Sequence, residues 1–138
     1  MNSNIKIVKL NSEISSILIN EPKTYNSLSF KNLNDLLSAL KKLDSDKKVK
    51  VIIIEGAGKG FSAGHNLKEV RGLKKRGKYQ KLFNLCSKVM LQIVEGRKPV
   101  IAKVHGAAFA AGCQLVASCD LAYSTKDALF ATPGVNIG

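Results

Sequence analysis

The spacing of apolar residues predicts strands and helices along most of the chain. Apolar residues alternate or form short runs at 5–10 and 14–19, and the polar residues 11–13 between them predict the turn of a hairpin. Two further apolar runs, at 49–54 and 100–104, predict buried strands. Because helical patterns lie between these strands, the order of elements is typical of an α/β fold.

Two stretches carry apolar residues three or four positions apart, as an amphipathic helix requires. In the first, 30–43, Ser29 can cap the helix and the polar residues 44–46 can end it. The second runs over 79–93 and stops at Gly96. Both stretches predict helices with one face in the core.

Two loops rich in small residues are the most informative part of the chain. FSAGHNL occupies 61–67, and HGAAFAAGCQLVASCD occupies 105–120, where Gly and Ala give way to a helical pattern. A Gly/Ala run that opens a helix leaves backbone N–H groups unpaired, and such groups stabilise an oxygen that gains negative charge. The same pattern also occurs where a helix packs closely on a sheet, so each loop alone has two interpretations.

Read together, the two loops resemble the signatures of the crotonase family, also called the enoyl-CoA hydratase/isomerase family. The resemblance starts at EPKTYNSL, residues 21–28, and passes through the strand at 51–54 and both loops to ATPG, residues 131–134. It implies an α/β fold of the ClpP/crotonase type, a spiral of ββα turns. The amino-acid sequences of both loops and of FATPGVNIG, residues 130–138, most resemble those of one branch of the family.

The resemblance implies that the protein binds acyl-CoA thioesters and works in fatty-acid and acyl-CoA metabolism. The two N–H donors of the family's oxyanion hole fall on His65 and Ala111. The residues implied to contact the substrate are Lys23, Tyr25, Ala63, Gly64, His65, Asn66, Leu67, Ala107, Ala111 and Pro133. Coenzyme A is part of the substrate, and no separate cofactor is implied.

The chain departs from the family pattern where the hydratases carry two glutamates. Those positions hold Gln114 and Gly134. Glutamine can orient a water but cannot take its proton, and glycine has no side chain, so the acid–base pair of an enoyl-CoA hydratase-like lyase is absent. A non-catalytic acyl-CoA-binding or regulatory protein is the alternative that this loss favours.

Smaller departures lie in the two loops. Asn66 replaces the acidic residue that is common in the first loop, and Ala110 and Ala111 replace two glycines of the second. Alanine permits the same backbone path unless a positive φ is needed. We therefore expect the oxyanion hole to be better preserved than the proton-transfer groups.

The chain ends at Gly138, directly after the family's second catalytic loop. Members of the family continue through further β-α turns and a helical C-terminal region that closes the acyl pocket and forms trimer contacts. We therefore expect residues 1–138 to be the N-terminal part of a single crotonase-like domain. For a full-length form the resemblance implies a homotrimer or hexamer.

The chain is strongly basic, with a formal net charge of +12. Since coenzyme A carries three phosphate groups, a basic rim would attract it, and the basic segment 66–78, interrupted by Gly72 and Gly77, is expected to be mobile and to flank the CoA entrance. A nucleic-acid-binding module is the rival interpretation of the charge. It is the weaker one, because the chain lacks the interleaved aromatic and basic residues suited to base stacking.

The cysteines, histidines and apolar runs of the sequence predict neither a metal site nor a membrane-spanning segment. Cys86, Cys113 and Cys119 are odd in number and share no CxxC spacing, so they are interpreted as reduced and buried, and His65 and His105 are not at zinc-ligand spacing with them. No apolar run is long enough for a membrane span. The first residues lead directly into a strand without a signal or transit peptide, so the cytoplasm is expected, or mitochondria if a eukaryotic precursor has lost its N-terminus.

Overall fold

The structure, a computed structural model, describes residues 3–137 of the chain. Its strands are β1 (Ile5–Lys9), β2 (Ile14–Ile19), β3 (Val51–Gly56), β4 (Val100–Val104), β5 (Ala107–Phe109), β6 (Leu121–Ser124) and β7 (Leu129–Ala131). Its α-helices are α1 (Phe30–Ser45), α2 (Leu67–Gly72), α3 (Arg76–Val94), α4 (Ala111–Ser118) and α5 (Gly134–Ile137). A single 3₁₀ turn, Pro22–Thr24, precedes α1.

The strands form one five-stranded sheet and one two-stranded sheet. The larger has the order β1-β2-β3-β4-β6, in which only the β1–β2 pair is antiparallel. That pair is the predicted hairpin, and the side-chain oxygen of Asn11 holds its turn by accepting the N–H groups two and three residues later, both at 2.8 Å. The smaller sheet pairs β5 with β7 in parallel.

Three successive segments of the chain follow the same path through both sheets. In β4–β5–α4 and in β6–β7–α5, a strand of the large sheet leads through a short turn to a strand of the small sheet and then to a helix. The first segment begins with β3, continues to Ser62, which forms a parallel bridge with Ala108 of β5, and leads to α2. The chain therefore advances as a ββα spiral, which confirms the predicted fold class.

Helices α1 and α3 share one apolar core with the large sheet. Ser29 caps α1 as predicted, since its hydroxyl accepts the N–H of Asn32 at 3.2 Å. Fully buried side chains from helices and strands include Leu33, Leu36, Leu40, Leu82, Ile93, Ile17, Ile19, Ile52 and Ile54. Both predicted helices are confirmed with one face in this core. Phe30 and Phe83, which the helical spacing also placed on the buried faces, are exposed instead.

Of the two glycines expected to interrupt the segment 66–78, only Gly72 does so. Helix α2 ends at Gly72, whereas α3 begins at Arg76, three residues before the predicted start, and includes Gly77 in its first turn. A Cβ at either glycine would meet nothing within 4 Å. The packed face of α3 thus outweighs the weak helix propensity of Gly77. The mobility of this segment stays a prediction.

No helix among residues 3–137 is long and apolar enough to cross a membrane. The same residues contain no group of three or more His, Cys, Asp or Glu that could hold a metal ion. The cysteines are free thiols, but only Cys86 is buried, whereas Cys113 and Cys119 are partly exposed, which corrects their predicted burial. Even so, removal from water and then the charge of Asp120 raise the pKa of the Cys119 thiol to about 12.

Candidate active site

The loop at 61–67 meets the start of α4 at Gly64. This glycine has a φ of +85°, and an ideal Cβ built on it would lie 2.9 Å from the backbone nitrogen of Ala111 and 2.9 Å from the carbonyl oxygen of Phe109. Only glycine fits this conformation and this space without a shift of the neighbouring backbone. The two small-residue loops, which are far apart in sequence, therefore lie in direct contact.

The N–H groups of His65 and Ala111 flank this contact. Within residues 3–137 neither of them donates a hydrogen bond to another part of the chain. Ala111 opens α4, and the first N–H groups of a helix have no acceptor inside the helix. Two backbone donors thus remain available at the place where the loops meet.

Each of these N–H groups shares its peptide unit with a carbonyl that already accepts a hydrogen bond. That hydrogen bond fixes the direction of the N–H group. The carbonyl of Gly64 accepts the N–H of Leu28 at 2.7 Å. Because a trans peptide places its C=O and N–H on opposite sides, the N–H of His65 points away from Leu28. The carbonyl of Ala110 accepts an N–H inside α4 at 3.0 Å, so the following N–H points out of the helix N-terminus.

Ala110 has a backbone conformation that alanine rarely adopts. Its φ is 50° and its ψ is −122° at the N-cap position of α4, and its N–H donates to the carbonyl of Ala131 at 2.8 Å. Such a conformation costs roughly 1–3 kcal/mol in a residue with a Cβ. A positive φ is therefore required at one of the two alanines that replace glycines, and the sequence alone could not show which.

The side chain of His65 packs against the protein. Its Nδ1 donates to the carbonyl oxygen of Leu28 at 3.2 Å. Its ring meets that of Phe83 edge to face, with the centroids 5.3 Å apart. Both contacts hold in place the residue that carries the first unpaired N–H group.

A cavity of about 310 Å³ opens beside the first loop. Its lining residues are Lys23, Thr24, Ser27, Ala63, His65, Asn66, Leu67 and Lys68. Five of the residues predicted to contact the substrate are among them, and two lysines supply positive charge at its edge. Lys68 belongs to the basic segment 66–78 and lies next to Leu67 on the first turn of α2.

Asn66 also has a structural role at this cavity. Its side-chain oxygen accepts the N–H groups of Lys68 at 3.1 Å and of Glu69 at 3.2 Å and so caps α2. Asparagine and aspartate are similarly good N-caps. The replacement of the usual acidic residue therefore leaves the path of the loop unchanged.

Three other predicted contact residues take part in hydrogen bonds through their backbone carbonyls. Tyr25 is exposed, and its carbonyl accepts the N–H of Ala63 at 2.9 Å. The carbonyl of Ala107 accepts two N–H groups of the first loop, at 3.0 and 3.1 Å. Pro133 accepts the N–H of Asn136 at 2.9 Å at the start of α5.

The two positions of the missing glutamates lie together. Gln114 and Gly134 both line a cavity of about 500 Å³ at the start of α4. The other lining residues are Ala110, Cys113, Ala117, Thr132 and Val135. None of these described residues carries a carboxyl group.

Two buried polar residues behind the first loop were missed by the sequence analysis. Asn26 and Ser62 are both fully buried. The amide of Asn26 donates to the carbonyls of Ala57 and Gly60, at 2.7 and 2.9 Å, and its oxygen accepts the N–H of Glu21 at 2.9 Å. Asn and Ser are ordinary loop residues, so only their burial reveals that they hold the loop in place.

The chain is similar to known proteins over most of its length. The family model described as enoyl-CoA hydratase/isomerase matches residues 9–138. The chain is 46% identical over 125 residues to the human enoyl-CoA hydratase domain-containing protein 3, mitochondrial, a match that covers 91% of this chain and 41% of that protein. This is the branch that the amino-acid sequences of the two loops indicated.

Solved structures agree with the sequence comparison. The crystal structure of the same human protein matches with a TM-score of 0.93 and 44% identity, over 98% of this chain and 53% of that one. The crystal structure of an enoyl-CoA hydratase from Mycobacterium smegmatis matches with a TM-score of 0.95 and 43% identity, over 99% and 53%. The chain thus spans about half the length of these solved relatives.

Proposed function

The chain belongs to the enoyl-CoA hydratase/isomerase family and has the crotonase fold, and from this premise we propose that it binds an acyl-CoA thioester and polarises its carbonyl. The two donors are the backbone N–H groups of His65 and Ala111. The observation that carries the proposal is the contact of Gly64 with the nitrogen of Ala111, because it brings two unpaired N–H groups from distant loops to one place.

The cavity beside the first loop suits the coenzyme A part of such a substrate. Lys23 and Lys68 lie at its edge, and positive charge attracts the phosphate groups of coenzyme A. Coenzyme A is then part of the substrate, and we propose no separate cofactor.

Backbone donors suit a thioester whose carbonyl oxygen gains negative charge as an enolate forms. In other enzymes the loss of one such donor raises the barrier by about 3 to 4 kcal/mol. Addition of water to the double bond would also need proton-transfer groups, and the residues that line the cavity around Gln114 and Gly134 include no carboxyl group. The site is therefore proposed to polarise a thioester without the hydratase acid–base pair.

The missing carboxyl groups also support a second candidate function. An acyl-CoA-binding protein without catalysis needs the cavity and the two donors but no proton-transfer group. The two candidates differ in whether a bound acyl-CoA exchanges its α-protons with solvent, which NMR in deuterium oxide measures directly. Exchange favours an enzyme, and tight binding without exchange favours the binding protein.

The proposal is tested by replacing the backbone N–H of Ala111 with an oxygen atom, which cannot donate a hydrogen bond. Lactic acid in place of Ala111 converts the amide N–H into an ester oxygen, whereas proline would place a ring carbon against Gly64. We expect calorimetry to show two- to tenfold weaker binding of a non-hydrolysable acyl-CoA ketone analogue, the loss of one hydrogen bond. The same ester at Ala39 of α1, which lines neither of the two cavities, is the control. Equal affinity of the Ala111 ester and the unchanged protein would refute the assignment.

Assembly and location concern the whole protein. We propose a homotrimer or hexamer for a full-length form. The name of the human relative places that protein in mitochondria, and for this chain the cytoplasm or mitochondria stay a prediction.

Nucleic acid is the rival partner for the basic surface. Binding of acyl-CoA at salt concentrations that abolish any binding to DNA would separate the two.

A further inference from the structure

Ser62, in the first loop, makes hydrogen bonds within that loop and to β5, which leads to the second proposed donor. Its backbone N–H donates to the carbonyl of Ala107 at 3.1 Å, and its carbonyl accepts the N–H of Phe109 at 2.9 Å. These bonds attach the first loop to β5, which leads directly into Ala110 and Ala111. The backbone of Ser62 thus fixes the first loop relative to the second donor.

The side chain of Ser62 acts on the first donor. Its hydroxyl donates to the carbonyl of Asn26 at 2.9 Å and accepts the N–H of Gly64 at 3.2 Å. The carbonyl of Gly64 is held separately by the N–H of Leu28 at 2.7 Å. Both peptide units that flank Gly64 are therefore fixed, and the second of them contains the N–H of His65.

Little free space surrounds Ser62. The residue is fully buried, and an ideal Cβ at Gly112 would lie 2.3 Å from the carbonyl oxygen of Ser62. The first turn of α4 thus packs directly on this residue. A tightly packed region transmits a small change of position to its neighbours, so the spacing of the two donors depends on how Ser62 is held.

We propose that Ser62 is a positioning residue of the oxyanion hole, whose buried hydroxyl sets the orientation of the His65 N–H while its backbone sets the distance to the Ala111 N–H. The inference rests on the proposed function, since it assumes that a thioester carbonyl binds between these donors. Ser62 itself touches no substrate in this assignment. It acts through Gly64.

The variant Ser62→Ala removes the hydroxyl and leaves the backbone bonds to β5 possible. Ser62→Cys is the second variant, because a thiol is a weak donor and acceptor of similar size. Ser16→Ala is the matched control. Ser16 is also fully buried, and its hydroxyl donates to Glu55 at 2.6 Å, but it lies in β2, outside both loops. All three changes remove or weaken one buried serine hydroxyl.

The measurement is difference infrared spectroscopy of crotonyl-CoA labelled with carbon-13 at the thioester carbonyl. Binding to the unchanged protein is expected to lower the carbonyl stretching frequency, since two hydrogen bonds polarise the bond. Ser62→Ala should lose at least half of this shift while calorimetry shows affinity reduced by no more than about threefold, as expected when one weak bond is misaligned. Ser62→Cys should lie between, and Ser16→Ala should keep the full shift.

A full shift in folded Ser62→Ala overturns the positioning role and leaves the proposed function in place. If Ser62→Ala does not melt cooperatively, Ser62→Cys decides in the same way. A loss of shift in Ser16→Ala equal to that in Ser62→Ala also overturns the inference, because any buried hydroxyl would then have the effect. Failure of the unchanged protein to bind crotonyl-CoA or to shift its carbonyl refutes the proposed function, and this inference with it.

Discussion

Gly64 lies so close to Ala111 that a Cβ at residue 64 would approach the backbone nitrogen of residue 111 to 2.9 Å. One glycine thus keeps two loops, and the N–H groups that they carry, in contact. Its φ of +85° disfavours any side chain, and its surroundings leave no space for one.

Gly64→Ala is therefore expected to weaken both the fold and acyl-CoA binding. The strained backbone alone should lower the free energy of unfolding by about 1–3 kcal/mol, as measured by urea denaturation. Gly72→Ala is the control, since a Cβ there meets nothing within 4 Å, and it should be neutral or stabilise by up to about 1 kcal/mol. Equal effects of the two changes would contradict the packing of Gly64.

Ala110→Gly is expected to stabilise the protein. The φ of 50° strains alanine but not glycine, so the relief should exceed the added flexibility of the unfolded chain and give a net gain of about 1 kcal/mol. Ala117→Gly, in the last turn of the same helix, should instead destabilise by up to about 1 kcal/mol. Thermal melting of both variants tests the opposite signs.

Hydration of crotonyl-CoA is expected to be very slow, because Gln114 and Gly134 supply no proton-transfer group. General acid–base groups typically contribute about 10²- to 10⁴-fold each. Gly134 has open space where a Cβ would lie, so the double change Gln114→Glu with Gly134→Glu should increase the rate. Gln114→Asn with Gly134→Gln is the uncharged control. A rate typical of hydratases in the unchanged protein would contradict this prediction.

The carboxyl of Glu55 is expected to contribute stability that depends on pH. Burial favours its neutral form, but hydrogen bonds from Ser16 and Lys103 outweigh burial and lower its pKa. A lowered pKa in the folded state gives stability that is present above the unfolded pKa and is lost as the pH falls through the folded pKa. Glu55→Gln should therefore destabilise at pH 7, and the difference from the unchanged protein should shrink in acid. Urea titrations at pH 7 and pH 3 measure it, and a difference independent of pH would contradict it.

The 138-residue chain by itself is expected to self-associate. Strand β6 is an open sheet edge, and large apolar side chains near it are exposed: Leu121, Tyr123, Leu129, Phe130 and Val135. Apolar surface beside an unpaired edge favours association even against a net charge of +12. Analytical ultracentrifugation should show oligomers whose population falls in Leu121→Lys with Tyr123→Lys. A monodisperse monomer with a cooperative melt would show that the chain folds and remains soluble by itself.

Much of the fold could be predicted from periodicity. The hairpin, the capped helix α1 and the strand β4 appear where the sequence placed them, because each is long enough to show its repeat or has a local cap. Strands β5 and β7 have three residues each, too few for a repeat to be visible. Their existence follows only from the spiral that brings them side by side.

The two donors of the candidate site stay a prediction, and the residues that support them could not be predicted from the sequence. His65 and Ala111 came from the family resemblance, and the contact at Gly64 agrees with that pairing. The positive φ of Ala110 is imposed by α4 and by β7, which are distant from each other in the sequence, so no local pattern reveals it. Asn26 and Ser62 became recognisable only once their burial was known.

The bridge between Ser62 and Ala108 has a consequence for the order of folding. It closes a loop that contains the whole of α2 and α3, and contacts between residues so far apart along the chain are entropically costly to form early. Local turns and helices can appear first, but the two N–H donors meet only after both helices have been placed. The chemistry of this surface is therefore a property of the completed native state, and partly folded chains should lack it altogether.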